Sequence, residues 1–223
     1  MRLMCVGGTW SYGRHSPIER RWWWPGSPWL TFMANHNVLS IGPDRPYSWS
    51  TGIGGMCSLR RGGAHADWQA SGESLYAYLV PVVNGHTHPN PPYPYAMVAH
   101  SHGGEVALYA AAAGLKIPCL VTVGTPVRAD MEPVINAAKP NIGYWMHVYS
   151  IARWPWQRGF DWMQRAGELL DGHVGWQQKI KQANLNVGLK GVGHSGLLYK
   201  PVEFQRWVHD GLLDTMYVAL EVW

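Results

Sequence analysis

The stretch MVAHSHGGEVAL, residues 97–108, largely decides the fold expected of this chain. It begins as an apolar run typical of a strand and ends in an alanine-rich pattern typical of a helix. A strand-to-helix turn this short strains its central residue, leaves that side chain exposed at the carboxyl end of a sheet, and requires small neighbours. The stretch therefore predicts a tight turn at Ser101, with Gly103 and Gly104 as the small residues beside it.

Short apolar runs alternate with helical patterns along the rest of the chain. Strands are predicted at 3–6, 37–42, 95–99, 117–124 and 144–150, with a further β-type segment just before residue 191. Helices are predicted at 28–36, 65–83, 104–114, 129–138 and 201–219, and a proline-rich loop that cannot pair in a sheet interior at 84–94. This alternation predicts an α/β fold with a mostly parallel sheet flanked by helices on both faces, in one domain spanning 1–223.

Composition places the chain among globular proteins and argues against several partners. The apolar share is 47% and the charged share 14%, which argues against disorder. The net charge is +4, and the basic residues form pairs such as Arg20–Arg21, not a long stripe, so we expect no nucleic acid. Three widely spaced cysteines, Cys5, Cys57 and Cys119, predict neither a disulfide framework nor a metal site of the CxxC kind.

Targeting and cofactor signals are weak. No run approaches the roughly 18 apolar residues that a membrane span needs. The first residues, MRLMCVGG, lack the length and flanks of a signal peptide, so a cytoplasmic location is the default expectation. The glycines at 51–55 lack the lysine of a phosphate-binding loop, and we expect no cofactor and no metal.

The position of Ser101 suits a nucleophile. A helix that starts directly after the turn directs free N–H groups and the positive end of its dipole toward that spot. The backbone N–H of His102 would then donate to a developing oxyanion. A serine attacks at neutral pH only when a base takes its proton. His194 in GVGHSG is the expected base, because it follows a β-type segment and has small neighbours, whereas His100 and His102 are expected to shape the cleft.

Three segments in this order, MVAHSHGGEVAL, VTVGTPVR (121–128) and GVGHSGLL (191–198), resemble the α/β-hydrolase superfamily, especially its lipase- and esterase-like members. The resemblance implies a triad in the order serine, acid, histidine, with His194 at the histidine position. Ala99 departs from the family's pattern, which has glycine there. Residues 3–6 correspond to the family's third strand, so we expect a compact version without a large inserted lid domain.

The resemblance places the catalytic acid after the fifth predicted strand. Asp161, in DWMQRAG, fits the family's pattern if ARWPWQRGF is an insertion between it and the strand. Asp130 is the alternative acid, because some members of the family supply it after the preceding strand. Asp171 is a third candidate.

A second oxyanion donor is expected from the loop after the first strand. The stretch VGGTW (6–10) resembles the family's oxyanion loop, with Val6 in place of its histidine. The backbone N–H of Thr9 or of Trp10 would then face the serine. Because this donor belongs to the backbone, the identity of the side chain matters little.

Tryptophan is unusually abundant, with 14 residues, and three of them are consecutive: Trp22, Trp23 and Trp24. These rings either cover the sheet edge or form an apolar wall for an acyl chain or an interfacial platform. With His100 they are the expected substrate-binding residues, and they favour a small-molecule or lipid-like ester.

The sequence therefore predicts a serine hydrolase that cleaves carboxylic esters through an acyl-enzyme, with Ser101, His194 and Asp161 as its triad. Two alternatives stay open. The same triad hydrolyses thioesters or amides in one of them, and the other is a tryptophan-rich binding protein on an inactive hydrolase scaffold. The sequence leaves the natural substrate and the oligomeric state open.

Overall fold

The structure, a computed structural model, describes residues 2–8, 28–35, 39–40, 63–80, 82–83, 86–87, 95–127, 129–151, 178–190, 197 and 216–217. The strands in these ranges are β1 (Arg2–Val6), β2 (Leu39–Ser40), β3 (Val82–Val83), β4 (His86–Thr87), β5 (Tyr95–His100), β6 (Ile117–Val123), β7 (Ile142–Ile151) and β8 (Leu185–Lys190). The helices are α1 (Pro28–Asn35), α2 (Gly63–Leu79), α3 (Gly103–Ala112) and α4 (Glu132–Ala138), with 3-10 turns at Ala129–Met131 and Lys139–Asn141.

Six of these strands form one sheet in the order β2-β1-β5-β6-β7-β8, and every neighbouring pair is parallel. Parallel strands end at the same edge of a sheet, and in open α/β folds ligands bind beyond that edge. The carboxyl ends of β1, β5, β6, β7 and β8 therefore lie along one side of the molecule. The predicted α/β class with a mostly parallel sheet is confirmed.

Helices cover both faces of this sheet, as predicted. One core combines strand residues such as Met97 and Leu120 with the buried sides of α2, α3 and α4. The other combines the intervening residues, such as Val98 and Val121, with Phe32 of α1. Because neighbours along a strand point to opposite faces, a sheet covered on both faces is apolar at nearly every position.

Of the strand expected at 37–42, only Leu39–Ser40 lies within the described residues, and it forms a strand. One predicted helix boundary was wrong. The helix expected at 65–83 ends at Leu79, and Val82–Val83 instead pair with His86–Thr87 in an antiparallel hairpin. Pro81 in the sequence explains the early end, because proline disfavours helical backbone in the residue before it.

Two other predicted elements differ as well. The expected loop at 84–94 contributes two residues to that small hairpin, outside the main sheet. The start of the helix expected at 129–138 is a 3-10 turn. Of the closing helix expected at 201–219, only Met216 and Tyr217 are described, and both are helical.

The buried cysteines behave as small apolar residues. Cys5 on β1 and Cys119 on β6 are free thiols in the core between the sheet and α1, as their apolar strands predicted. Burial raises the pKa of Cys119 to about 12, and it raises the pKa of Cys5 further still. Cys57 lies outside the described residues.

No helix in the described ranges is long and apolar enough to cross a membrane. The same ranges contain no group of three histidine, cysteine, aspartate or glutamate side chains that could hold a metal ion.

Candidate active site

Ser101 lies in the two-residue turn between β5 and α3. Its φ is +54°, and among the residues that the structure describes it is the only one other than glycine with a positive φ. The left-handed conformation brings Cβ close to the backbone and costs an L-residue roughly 1–2 kcal/mol. Strain of this kind persists only where the surrounding structure enforces it, and such positions cluster at functional sites. The sharp turn predicted at Ser101 is present.

Hydrogen bonds fix the backbone on both sides of the turn. The N–H of Ser101 donates to the carbonyl oxygen of Val123 at 2.9 Å, which continues the β5–β6 ladder beyond the end of β5. The N–H of Gly104 donates to the carbonyl oxygen of Ser101 at 3.0 Å and closes the turn into α3. Ser101 is therefore held by β6 on one side and by the helix on the other.

The two glycines after the turn are required by two different neighbours. A Cβ on Gly103 would lie 2.3 Å from the carbonyl oxygen of Gly7, and a Cβ on Gly104 would lie 2.1 Å from Oγ1 of Thr125. Real Cβ atoms essentially never come within 3.0 Å of another heavy atom. The loop after β1 and the loop after β6 therefore both pack directly against the first turn of α3.

This packing explains one departure from expectation. The serine side chain was predicted to be exposed, but Ser101 is only 6% exposed. Gly7, Gly8 and Thr125, which belong to these two loops, are themselves buried. The turn is thus enclosed by its neighbours at the carboxyl edge of the sheet.

The amino terminus of α3 begins directly behind the serine. His102 is the N-cap residue, with φ −64° and ψ −11°. The first N–H groups of a helix have no partner within the helix, and together with the dipole they favour negative charge nearby. Glu105, the acidic residue of this first turn, is buried with 1% exposure. The backbone N–H groups and the helix dipole would favour charge that develops on an oxygen near Ser101, whereas an ionised Glu105 carboxylate would oppose it.

The histidines on either side of Ser101 are both buried, His100 with 1% exposure and His102 with 3%. The imidazole of His102 stacks on the indole of Trp68 from α2, with the ring centroids 5.1 Å apart and an angle of 19° between the planes. In the sequence Trp68 was assigned only to an apolar helix stripe, and no signal linked it to the turn.

Asp130, the alternative acid, lies in the 3-10 turn that follows β6 and is exposed. The other predicted site residues lie outside the described residues: Thr9, Trp10, Trp22, Trp23, Trp24, Asp161, Asp171 and His194. The strands before three of these segments are described, and β1, β7 and β8 all end at the edge where Ser101 lies.

A chain of hydrogen bonds between buried side chains links β6 and β7 beside the turn. It was not predicted from the sequence. Nε2 of His147 lies 2.9 Å from the carbonyl oxygen of Gln178, and its Nδ1 lies 2.8 Å from Oγ1 of Thr122. Because a carbonyl only accepts, Nε2 carries the proton and Nδ1 accepts from the Thr122 hydroxyl. That hydroxyl accepts in turn from the indole N–H of Trp145 at 2.9 Å.

Burial keeps His147 neutral. Burial lowers the pKa of His147 to about 4, and the hydrogen bonds to Gln178 and Thr122 oppose this shift only in part. The imidazole also stacks on Tyr149, with the ring centroids 5.6 Å apart. A polar residue at each of positions 122 and 147, within mostly apolar strands, was the available signal.

No family model and no curated protein matches this chain. Among solved structures, the chain is similar to a methylesterase from Arabidopsis at 12% identity, with a TM-score of 0.45 and coverage of 94% of this chain and 98% of that one. It is also similar to a structure from the pair LipS and LipT, two metagenome-derived lipolytic enzymes, at 13% identity. In that comparison the TM-score is 0.37, with coverage of 94% of this chain and 92% of the other. Both are likenesses of backbone arrangement alone.

Proposed function

We propose that this chain is a serine hydrolase that cleaves carboxylic esters through an acyl-enzyme on Ser101. The observation that carries the proposal is the left-handed turn at Ser101, which joins a buried parallel strand to a helix. A serine held in this way at the carboxyl edge of an α/β sheet has the geometry of a nucleophile elbow. An ordinary loop residue would have no reason to retain strain of roughly 1–2 kcal/mol.

In the first half of the proposed reaction, Oγ of Ser101 attacks the ester carbonyl carbon while the imidazole of His194 takes the hydroxyl proton. The carbonyl oxygen becomes an oxyanion and receives hydrogen bonds from the N–H of His102 and from the N–H of Thr9 or Trp10. The bond from carbon to the alkoxy oxygen then breaks, and His194 returns the proton to the departing alcohol.

In the second half, water attacks the acyl-enzyme and His194 takes one of its protons. The ester bond to Ser101 breaks, the proton returns to the serine oxygen, and the carboxylic acid leaves. Asp161 orients the imidazole and stabilises its protonated form throughout, with Asp130 as the alternative. Trp22, Trp23, Trp24 and His100 are proposed to contact the acyl part of the substrate, which favours apolar acyl groups.

The chain lengths are compatible with this assembly. Since neighbouring strands lie about 4.8 Å apart, β8 lies roughly 14 Å from β5, three strands away. His194 is four residues beyond Lys190, the last residue of β8, and four extended residues span at most about 14 Å. The length of the imidazole side chain adds to that reach. The contact between Gly103 and Gly7 supports Thr9 in the same way, because Thr9 is only two residues further along.

Labelling with a fluorophosphonate probe tests the proposal. We expect one equivalent of probe on Ser101, loss of labelling in Ser101→Ala, and retention in Ser74→Ala. Ser74 is a matched control, since it is an exposed serine on α2. A folded protein that does not react would support the tryptophan-rich binding protein, and labelling at another serine would contradict the assigned nucleophile.

The acid and the substrate class need separate measurements. Asp161→Asn is expected to lower kcat by about 10³-fold or more while Asp130→Asn leaves it nearly unchanged, because loss of the orienting carboxylate is costly in such triads. The reverse result would make Asp130 the acid. A series of chromogenic esters and thioesters of increasing acyl length should show preference for esters with apolar acyl groups, and preferential turnover of thioesters or amides would favour the corresponding alternative.

A further inference from the structure

The residue directly after the proposed nucleophile is tied to a distant helix by an aromatic contact. His102 and Trp68 are 34 positions apart in the chain (102 − 68). Their rings are nevertheless stacked, with the centroids 5.1 Å apart, and the two residues are 3% and 2% exposed. Aromatic rings at such separations attract one another beyond the effect of their burial.

Trp68 is itself held firmly in place. One turn further along α2, a Cβ on Gly72 would lie 2.6 Å from Cβ of Tyr109 and 2.9 Å from the carbonyl oxygen of Val106, both on α3. The backbones of α2 and α3 therefore approach as closely as a glycine allows, and neither can shift without moving the other. The indole that meets His102 is carried by a helix fixed against the same helix that His102 begins.

The stack on Trp68 restrains the side chain of His102. Although His102 is the N-cap of α3, its side chain makes no capping hydrogen bond to the described helix. Stacking on Trp68 is one contact that orients this side chain. Since the imidazole is attached to the α-carbon of His102, a shift of the backbone at this position would disturb the stack.

We propose that Trp68 is a positioning residue: by stacking on the imidazole of His102 it fixes the peptide whose N–H faces the oxyanion. The inference rests on the proposed function, in which this N–H is an oxyanion donor. Donors of this kind act only when they are aimed at the developing charge before the reaction starts. Ser101, the preceding residue, is held in a strained conformation, and we expect the stack to add to the hydrogen bonds that already hold the turn.

Three variants of α2 test the proposal. Trp68→Leu removes the stacking but keeps an apolar side chain, Trp68→Phe keeps an aromatic ring, and Leu75→Ala disrupts a fully buried residue two turns away on the same helix. For each variant, kcat and KM on a short chromogenic ester are measured per folded molecule, with the folded fraction taken from denaturant unfolding.

We expect Trp68→Leu to lower kcat by about tenfold with little change in KM, since misaimed oxyanion donors affect the transition state and not substrate binding. Trp68→Phe should recover most of the loss, and Leu75→Ala should lose stability but keep its kcat. In a His102→Leu background, Trp68→Leu should cost little more. Equal losses of kcat in Trp68→Leu and Leu75→Ala, or an unchanged kcat in Trp68→Leu, would mean that the stack of Trp68 on His102 is ordinary core packing and does not position the oxyanion donor.

Amide hydrogen exchange separates this proposal from the proposed function. Under native conditions, and after correction for global stability, the amides of 102–106 should exchange faster in Trp68→Leu than in Leu75→Ala. That measurement needs no catalytic activity. If the wild-type protein does not react with the fluorophosphonate, the proposed hydrolase function is wrong. If the two variants exchange equally, the proposed positioning role of Trp68 is wrong, even if the wild type is active.

Discussion

The carbonyl oxygen of Gly7 occupies the space where a side chain on Gly103 would begin, since a Cβ there would lie 2.3 Å from it. This contact joins the end of β1 to the first turn of α3. The loop after β1 and the turn at Ser101 are consequently one packed unit. A proposed oxyanion donor and the proposed nucleophile depend on the same pair of glycines.

Gly103→Ala should therefore reduce both stability and reactivity. Alanine is better than glycine inside a helix by about 1 kcal/mol, but an overpacked contact with backbone costs typically about 1–3 kcal/mol or more. We expect a lower free energy of unfolding in denaturant titrations and slower fluorophosphonate labelling of the folded protein.

Gly114→Ala is a suitable control for this variant. Gly114 has φ +111° and open space around it, so alanine there strains the backbone without a clash. It should lower stability and leave the labelling rate of the folded protein unchanged. Wild-type labelling in Gly103→Ala would show that the contact with Gly7 does not shape the site.

Ser101→Gly should be more stable than Ser101→Ala. Glycine adopts positive φ without the steric cost that alanine shares with serine, a difference of roughly 1 kcal/mol at φ +54°. Both variants lose the hydroxyl and should be equally unreactive, so the two are compared by stability alone. Thermal or denaturant unfolding measures the gap, and identical stabilities would mean that the turn relaxes without strain.

Two buried threonines near the turn should respond in opposite ways to replacement by valine. Oγ1 of Thr125 has no hydrogen-bond partner in the described part of the chain, and the residue is 1% exposed. Thr125→Val removes an unsatisfied polar group and should be neutral or stabilising by up to about 1 kcal/mol.

Thr122→Val is the matched comparison, because the Thr122 hydroxyl bonds both Trp145 and His147. Its loss leaves two buried groups without a partner and should cost about 2–4 kcal/mol in the free energy of unfolding. If Thr125→Val proves as costly as Thr122→Val, the Thr125 hydroxyl must have a partner after all.

Stability should fall as the pH decreases from about 6.5 to about 4, in part because of His147. Its pKa is about 4 in the folded protein against 6.5 for an ordinary histidine. Between these values the unfolded chain binds a proton that the folded protein does not, so acid favours unfolding, by up to about 3 kcal/mol for this residue. His147→Gln is expected to be less stable at pH 7 but to lose less stability between pH 6.5 and pH 4. Equal pH dependence in the two proteins, measured by denaturant unfolding, would mean that His147 titrates normally.

The local pattern of the sequence was sufficient for the turn and for most of the sheet. Strands β5 and β6 were predicted within one residue of their limits, because each is a mostly apolar run bounded by proline, polar or glycine residues. Ser101 and its glycines were predicted because a strand and a helix can be joined in so few residues only through strained backbone. The limits of α2 were missed where a proline after a helical pattern was given too little weight.

The partners of polar side chains could not be predicted in the same way. The sequence placed Thr122 and His147 in separate strands, and their contact depends on the register in which β6 and β7 pair. Trp68 was correctly assigned to a helix, but nothing local specified that its ring would meet His102. Contacts of this kind depend on how whole elements pack, and single-chain periodicity carries no information about that.

By itself the sequence determined the succession of strands and helices, the parallel sheet that follows from it, and the one position where the backbone must turn sharply. These properties are fixed by the spacing of apolar residues and by glycine, which act over a few positions. Only the tertiary structure decided that Gly103 packs on Gly7, that the ring of Trp68 stacks on that of His102, and that His147 is buried, in its neutral form, within a chain of hydrogen bonds. The physical reason is that each of these contacts joins residues from elements far apart in the chain, whose approach is set by close packing of the whole core.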